Sequence, residues 1–195
     1  MLKRSFYIRV AGLILLFSLS AITTADDRLK PFILASESAA PMAQTVGQTR
    51  QALEDSGFEV IGEYQPYDDA TVLVFSSEVL KEKATLTPLG GFAAALRAAV
   101  TVEGENTRVS YVNPGYLARA YRLEDDLDAV QTTLSEALGN VRAFGSKKGL
   151  KSKKLARYNY MFGMEKFDDT YRLGEFDTQS EAVARVDTRL EENAL

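Results

Sequence analysis

Short segments of the chain alternate between apolar and polar residues, and a period of two is typical of strands that are buried on one face. Turn residues such as Gly, Pro, Asn and Asp separate most of these segments. The alternation and the turns together predict seven strands. They cover residues 32–35, 58–64, 71–75, 98–102, 107–112, 158–162 and 170–176.

Apolar residues at intervals of three and four predict three longer helices. The first begins after Pro41 and ends before Gly57, which is the usual order of proline and glycine at helix ends. The acidic pair at 125–126 begins the second helix, and Gly139 ends it. A capping box at residues 178–181 begins the third. The apolar stripe of this last helix consists of Val183, Val186 and Leu190.

The order of these elements predicts an α+β fold, a two-layer sandwich in which a mainly antiparallel sheet carries helices on one face. We divide the chain after its leader into a core domain, residues 26–140, and an extension, residues 141–195. The extension adds a short helix near residues 152–156, the last two strands and the last helix, packed on the same fold. No Pro-rich linker or low-complexity tract interrupts the chain.

The first 25 residues have the organisation of a secretory signal peptide. Lys3, Arg4 and Arg9 precede an apolar run, and small residues follow it up to Ala25. The run is short for a transmembrane helix, so we expect cleavage after Ala25 rather than an uncleaved anchor. The mature chain then begins at Asp26 and is released into the periplasm without a stable membrane anchor.

The composition narrows the chemistry, because the 195-residue chain has neither histidine nor cysteine. An exported chain without cysteine has no disulfide, so burial and hydrogen bonding must supply its stability. Histidine and cysteine are also the commonest ligands of transition metals and the usual members of catalytic triads. The sequence therefore argues against haem, zinc and Ser-His-Asp or Cys-His catalysis, and we predict no metal and no cofactor.

Two further groups of metal-binding residue types fit structural roles better. Met161 and Met164, with Met42, are thioethers of the kind that bind Cu(I), but without histidine or cysteine we interpret them as core residues. Three aspartate pairs have the chemistry of calcium ligands or of general acids and bases. Each pair lies at a turn or a helix start, where aspartates act as caps. These pairs are at positions 68–69, 125–126 and 168–169.

Residues 108–121, where a strand runs directly into a turn and a helix, form the most specific pattern in the sequence. Pro114 fixes its own φ and disfavours helix at Asn113, so the strand ends there and Pro114 begins a helix that Asn113 caps. We predict that Asn113 is chiefly structural. The alternative is a ligand pocket between this turn and the sheet. Its lining would include the tyrosines Tyr111, Tyr116, Tyr121, Tyr158 and Tyr160.

The pattern Tyr-x-Asn-Pro-x-Tyr-Leu-Ala at residues 111–118, preceded by a hairpin, resembles the family called domain of unknown function 302. The resemblance extends over residues 32–140 and implies the fold but no activity, since the family has no assigned one. Members often have His where this chain has Tyr121, and a Gly-Asn-Pro-like turn where it has residues 75–80. A metal or proton-transfer role of that histidine therefore does not extend to this chain.

A second candidate for ligand binding lies at residues 87–91. With Thr87 as a cap and Pro88 as the first helical residue, several backbone N–H groups would converge on one point, which is the geometry of anion sites. Gly90 and Gly91 would let a ligand approach the backbone closely. We favour the other interpretation, in which these glycines let a short helix lie tightly on the sheet.

Charge is distributed unevenly along the chain. Without residues 1–25 the chain has 20 basic and 27 acidic residues, a net charge of −7. Residues 137–164 contain seven basic residues and no acidic one, so the remainder has a net charge of −14. This basic segment either forms salt bridges with the acidic remainder or attracts an acidic partner or an anionic membrane surface. The acidic remainder would repel nucleic acid, which we exclude as a partner. The members of the basic segment are Arg142, Lys147, Lys148, Lys151, Lys153, Lys154 and Arg157.

Two functions from different classes agree with these features. The first is an exported, non-enzymatic binding or accessory module for an anionic small molecule or an acidic partner protein. It would use the Asn113 turn, the Thr87 helix start and the basic segment. The second is a small hydrolase or isomerase that works through carboxylates and tyrosines alone. We prefer the first, because the second needs paired groups with pKa values shifted apart, and the spacing identifies no such pair.

Overall fold

The computed structural model describes residues 28–159, 161–166 and 169–192. Its main strands are β2 (Phe32–Ser38), β3 (Glu59–Tyr67), β4 (Ala70–Ser76), β5 (Ala95–Glu103), β6 (Asn106–Val112) and β7 (Arg142–Phe144). These form one six-stranded sheet in the order β3-β4-β5-β6-β2-β7, with every neighbouring pair antiparallel. The short strands β1 (Arg28–Leu29) and β8 (Leu150–Lys151) pair with each other.

Six α-helices accompany the strands in the described ranges. They are α1 (Met42–Asp55), α2 (Glu78–Thr85), α3 (Pro114–Ala120), α4 (Asp128–Leu138), α5 (Ser152–Leu155) and α6 (Gln179–Glu192). Helices α1 and α4 pack against each other and on one face of the sheet, and α3 contacts both α4 and α5. The predicted α+β class, with a mainly antiparallel sheet and helices on one face, is therefore confirmed.

The hydrophobic core lies between the sheet and this layer of helices. From α1 it receives Leu53 and the buried Thr45 and Thr49, which follow one another at intervals of four residues. Both threonine hydroxyls donate to backbone carbonyls one turn earlier, at 3.1 and 2.8 Å, so neither is buried without a partner. The strands contribute alternate residues, namely Leu73, Phe75, Leu96, Ala98, Val100, Val109 and Tyr111.

The helix ends follow the prediction in part. Gly139 ends α4 and Thr178 caps α6, but the predicted cap of α4 by the acidic pair is wrong, because its N-cap residue is Leu127, which makes no side-chain cap hydrogen bond. The amide of Leu127 donates to Asp125 Oδ1 at 2.8 Å before α4 begins, and Gly139 ends this helix with a φ of 102°. At α6 the amide of Glu181 donates to Thr178 Oγ1 at 3.2 Å, as the capping box predicts. Caps are recognisable in the sequence because they depend on residues only two or three positions apart.

The structure corrects the prediction for residues 78–93. We expected a helix that begins at Pro88, but α2 lies before this point and a 3-10 helix, Gly90–Ala93, follows it. Ser77 caps α2 by accepting the amide hydrogen of Leu80 at 3.2 Å. The signal for α2 was present in the sequence as a serine cap followed by Leu80 and Ala84, which are four residues apart and face the core.

The extension also differs from its prediction. The described residues of 158–162 and 170–176 form no strand, and residues 171–176 are all exposed; Tyr160 lies outside the described residues. Alternation alone supplies no neighbouring strand, and the sheet already ends at β3 and β7. The extension instead joins the fold through β7, β8 and α5, whose Leu155 is buried.

The predicted signal peptide, residues 1–25, and the expected new terminus Asp26 lie outside the described residues. Within the described ranges, no helix combines the length and the apolar character that crossing a membrane requires.

Candidate functional site

The sheet has a second face, opposite the core. It carries two grooves that are lined mainly by strand residues, and we call it the open face. Strand pairing places one row of side chains across this face from edge to edge. A second row lies beside it and is largely apolar. The first row is Tyr64, Val72, Ala99, Ser110, Leu34 and Arg142; the second includes Val74, Arg97, Val112, Phe32 and Phe144.

A groove of about 380 Å³ runs over the middle of the open face. Its floor is low because Ala99 and Ser110, which pair on the two central strands, have small side chains. At one end the rings of Phe32 and Phe144 lie 5.7 Å apart between centroids, and Tyr64 stands at the other. Large side chains at the edges and small ones at the centre therefore create the concavity.

Arg97 is the charged residue of this groove. It lies on β5 in the interior of the sheet, yet its side chain is exposed and forms no hydrogen bond or salt bridge with any described residue. Arg108, on the neighbouring strand, is different, because it pairs with Glu37 at 3.1 Å and also with Glu103. A guanidinium above apolar side chains, without a partner among the described residues, has the chemistry to bind a carboxylate, sulfonate or phosphate.

A second groove of about 360 Å³ continues from the first and shares Arg97 with it. Here the rings of Phe92 and Tyr121 are stacked, with centroids 5.1 Å apart. Leu117 of α3 completes the wall, so the two grooves form one apolar surface with the guanidinium of Arg97 between them. Of the predicted ligand-binding residues, Tyr121 lines the second groove and Tyr111 lines the first.

Asn113 caps α3 as predicted, and both ends of its amide are occupied. Its Oδ1 accepts the amide hydrogen of Tyr116 at 3.3 Å, while Nδ2 donates to the carbonyl of Lys30 at 2.8 Å. The side chain is buried, and its backbone amide donates to the carbonyl of Pro31 at 2.9 Å. Asn113 therefore joins the start of α3 to the segment that enters β2.

The predicted tyrosine pocket is divided by the sheet. Tyr111 points into the core on the helix side, where its hydroxyl donates to the carbonyl of Gly139 at 3.3 Å. The pKa of Tyr116 is raised above its ordinary value, mainly by burial and to a smaller extent by the nearby Tyr158 and Tyr121. Tyr116, Tyr121 and Tyr158 are thus neighbours beside α3, whereas Tyr111 is not one of them, and Tyr160 lies outside the described residues.

Thr87 does not cap a helix that begins at Pro88, because the 3-10 helix begins at Gly90 and has Leu89 as its N-cap residue. Thr87 follows the end of α2, and its Oγ1 accepts the amide hydrogen of Glu124 at 3.0 Å. A Cβ on Gly90 would lie 2.2 Å from the carbonyl oxygen of Ala84, so this glycine is required for close packing, although against α2 rather than the sheet. A Cβ on Gly91 would meet nothing within 4 Å.

The basic segment begins at the rim of the open face and leads away from it. Arg142 lies on β7 with its guanidinium carbon 5.8 Å from the ring centroid of Phe144, and Lys151 lies on β8. The side chains of the seven members form no salt bridge with the described part of the chain. Within the described ranges, these basic side chains are therefore not paired with the acidic remainder.

The acidic and methionine residues have other surroundings. The backbone amide of Leu127 and the ammonium of Lys83, 3.0 Å away, lower the pKa of Asp125. In the described ranges no three acidic side chains gather in the way that a metal site requires. Our interpretation of Met161 and Met164 as core residues is wrong, since both are exposed, whereas Met42 does pack against the core.

The open face was not predicted, although the sequence contains a signal for it. Residues 70–75 of β4 are apolar on both faces apart from Thr71, and a continuous apolar run is typical of a strand that is covered on both sides. The run predicts a strand, and its apolar residues on the second face indicate a surface that is partly covered. Arg97 gave no sequence signal, because a single arginine in a strand is usually solvated.

The crystal structure of an uncharacterized conserved protein, DUF302, from Bacillus stearothermophilus is similar to part of this chain. The two are 14% identical, the alignment covers 55% of this chain and 96% of that chain, and the TM-score is 0.48. That protein carries the family name that the pattern at residues 111–118 suggested. No protein-family model and no curated protein matches the sequence.

Proposed function

We propose that this protein is an exported, non-enzymatic binding module that holds an apolar molecule with a negatively charged group on its open face. The observation that carries the proposal is Arg97, whose guanidinium has no partner among the described residues and stands in a groove with apolar walls. The proposed anion-binding group is therefore Arg97 on β5 and not the segment at Thr87.

The groove has the size and lining of a small-molecule site. Its volume of about 380 Å³ lies within the range of ligand pockets, which are mainly apolar with a few polar groups that orient the ligand. Arg97 and Ser110 are those polar groups here. The apolar walls stabilise a hydrocarbon or aromatic body, and the guanidinium pairs with an acid at its end. A fatty acid or an aromatic carboxylate has this chemistry.

The exported location rests on the sequence of residues 1–25. A basic start, an apolar run and small residues before Ala25 support cleavage and release into the periplasm. Intact-mass measurement of the protein purified from a periplasmic fraction tests this part. We expect a chain that begins at Asp26, and a full-length chain in the membrane fraction would contradict it.

Binding is tested with anilinonaphthalene sulfonate, a fluorescent probe that combines an aromatic body with one negative charge. We expect saturable binding to the folded protein and a dissociation constant about 3- to 10-fold higher for Arg97→Gln, as for the loss of one hydrogen bond of about 1 kcal/mol at an exposed site. Arg50→Gln is the matched control, because Arg50 is also a surface arginine but pairs with Glu63 away from the groove.

Ala99→Phe provides a steric test that does not involve charge. Its ring would fill the floor of the groove from the open face, so we expect the probe to be excluded while the unfolding temperature stays close to that of the parent. If both Arg97→Gln and Ala99→Phe bind the probe as the parent does, the open face is not the site.

A further inference from the structure

Helix α6 exposes an apolar stripe and makes no extensive contact with another helix or strand of the described chain. Val183, Val186 and Leu190 form one side of this 14-residue helix, and their exposed fractions are 51%, 54% and 65%. None of the residues of α6 is buried. A single helix of this length is only marginally stable in water, because most helical stability in proteins comes from packing of the apolar side. The helix therefore has the composition of one that folds against a partner.

The open face is the complementary surface. Its strands carry apolar residues where solvent-facing positions are expected, and Phe32 and Tyr64 expose 41% and 47% of their surface. The continuous apolar run in β4 indicates that this face is covered in the working protein. A concave groove with small side chains at its centre and aromatic rings at its ends matches the apolar side of an amphipathic helix.

The charges of the two surfaces also correspond. Asp187 borders the apolar stripe of α6 beside Val183 and Val186, and it forms no ion pair with a described residue. Arg97 stands among the apolar residues of the open face, likewise without a partner in the described ranges. When α6 lies across the groove with its apolar stripe against the sheet, Asp187 comes close to the guanidinium of Arg97.

The connection between the two surfaces is long. Leu155 is buried where α5 meets α3, and 23 residues, 156–178, separate it from α6. Their described members contain no helix or strand. Such a segment reaches up to about 75 Å when extended. The radius of gyration of a domain of about 130 residues is only about 14 Å, so α6 is able to reach a neighbouring molecule.

We propose that α6 of one molecule packs across the open face of a second copy, with Asp187 paired to the partner's Arg97. Within one chain both the stripe and the face remain exposed, and a reciprocal exchange between two copies covers both pairs of surfaces at once. Exchange of an identical element is a low-cost route to a two-fold dimer. The helix would occupy the same face and the same guanidinium as the proposed ligand, so the two exclude each other on one molecule, and the dimer forms without any ligand.

The absence of cysteine from the chain makes disulfide trapping a clean test. One variant carries Ala99→Cys on the open face, and a second carries Val186→Cys on the stripe. When the two are mixed and mildly oxidised, we expect a covalent heterodimer that mass spectrometry identifies. Thr188→Cys is the control for Val186→Cys, because residue 188 lies on the opposite side of α6 and should form the heterodimer much more slowly.

The double variant with both cysteines in one chain decides which molecule supplies the helix. Covalent dimers support exchange between copies, whereas a disulfide within a monomer shows that α6 folds back on its own sheet and overturns the proposal. Equal trapping of residues 186 and 188, or no trapping with a monomer in sedimentation at high concentration, also overturns it. None of these measurements includes a ligand, so they are independent of the binding test with the fluorescent probe.

A charge exchange tests the pairing of Arg97 with Asp187. Arg97→Asp and Asp187→Arg should each weaken the dimer, with a dissociation constant raised about threefold or more, as for a surface ion pair that becomes a repulsion. The variant with both substitutions should recover most of the parent affinity. Additive losses in the combined variant would contradict this pairing, even if α6 does cover the face.

Discussion

Alternate residues of the same strands build two faces of the sheet that differ in what they contact. On β4, Leu73 and Phe75 are fully buried under the helices, whereas Val72 and Val74, their neighbours in sequence, are only partly covered on the open face. Both sets are apolar, so hydrophobicity alone does not separate them. The difference shows that burial by helices makes the first face a source of stability and leaves the second partly exposed.

The largest effect that separates the two faces is expected from phenylalanine truncation. Phe75→Ala removes a fully buried ring that meets Phe58 edge to face, with centroids 5.3 Å apart, and should cost about 3–5 kcal/mol of unfolding free energy. Phe32→Ala removes a ring that is 41% exposed and should cost about 1 kcal/mol. Urea unfolding of both variants measures the difference. Equal losses would mean that the open face is part of the folding core.

The glycine pair at 90 and 91 offers the same contrast between a packed and an open position. Gly90→Ala forces a methyl group onto the carbonyl of Ala84 and should destabilise the protein by about 1–3 kcal/mol. Gly91→Ala meets open space, and its stability should stay within about 0.5 kcal/mol of the parent. Thermal unfolding distinguishes them. If Gly91→Ala stays stable but no longer binds an anionic ligand, that result would support the anion site predicted at residues 87–91.

The cap at Asn113 should have an intermediate effect. Asn113→Ala removes the acceptor for Tyr116 and the donor to Lys30, and we expect a loss of about 0.5–2 kcal/mol. Ser77→Ala, which removes a cap with one hydrogen bond at α2, is the control and should cost less. An unchanged denaturant midpoint together with altered probe binding would make Asn113 a functional rather than a structural residue.

The smallest effect on stability is expected from the basic segment. Its side chains form no salt bridges with described residues, so replacing the five lysines at 147, 148, 151, 153 and 154 with Gln should change stability by less than about 0.5 kcal/mol. Salt-sensitive binding to anionic vesicles or to an acidic protein should fall in the same variant if the segment recruits such a partner. A marked loss of stability would instead indicate internal pairing.

The sequence by itself determined the elements whose signals are local. Periodicity and capping operate over one or two turns, so residues a few positions apart account for helices α1, α4 and α6, the cap of α6 and most strands. The pattern of Asn113 and Pro114 predicted the cap of α3 for the same reason. The fold class followed from the order of these elements.

Only the tertiary structure decided which surfaces these elements leave uncovered. Whether an apolar residue of β4 is buried depends on where α1 and α4 pack, and the chain positions of those helices do not state that. The prediction of strands at 158–162 and 170–176 was wrong for their described residues, because alternation does not supply a neighbouring strand. Arg97 became a candidate binding residue only when its surroundings were known, because the lack of a partner is a property of three-dimensional neighbours and not of sequence.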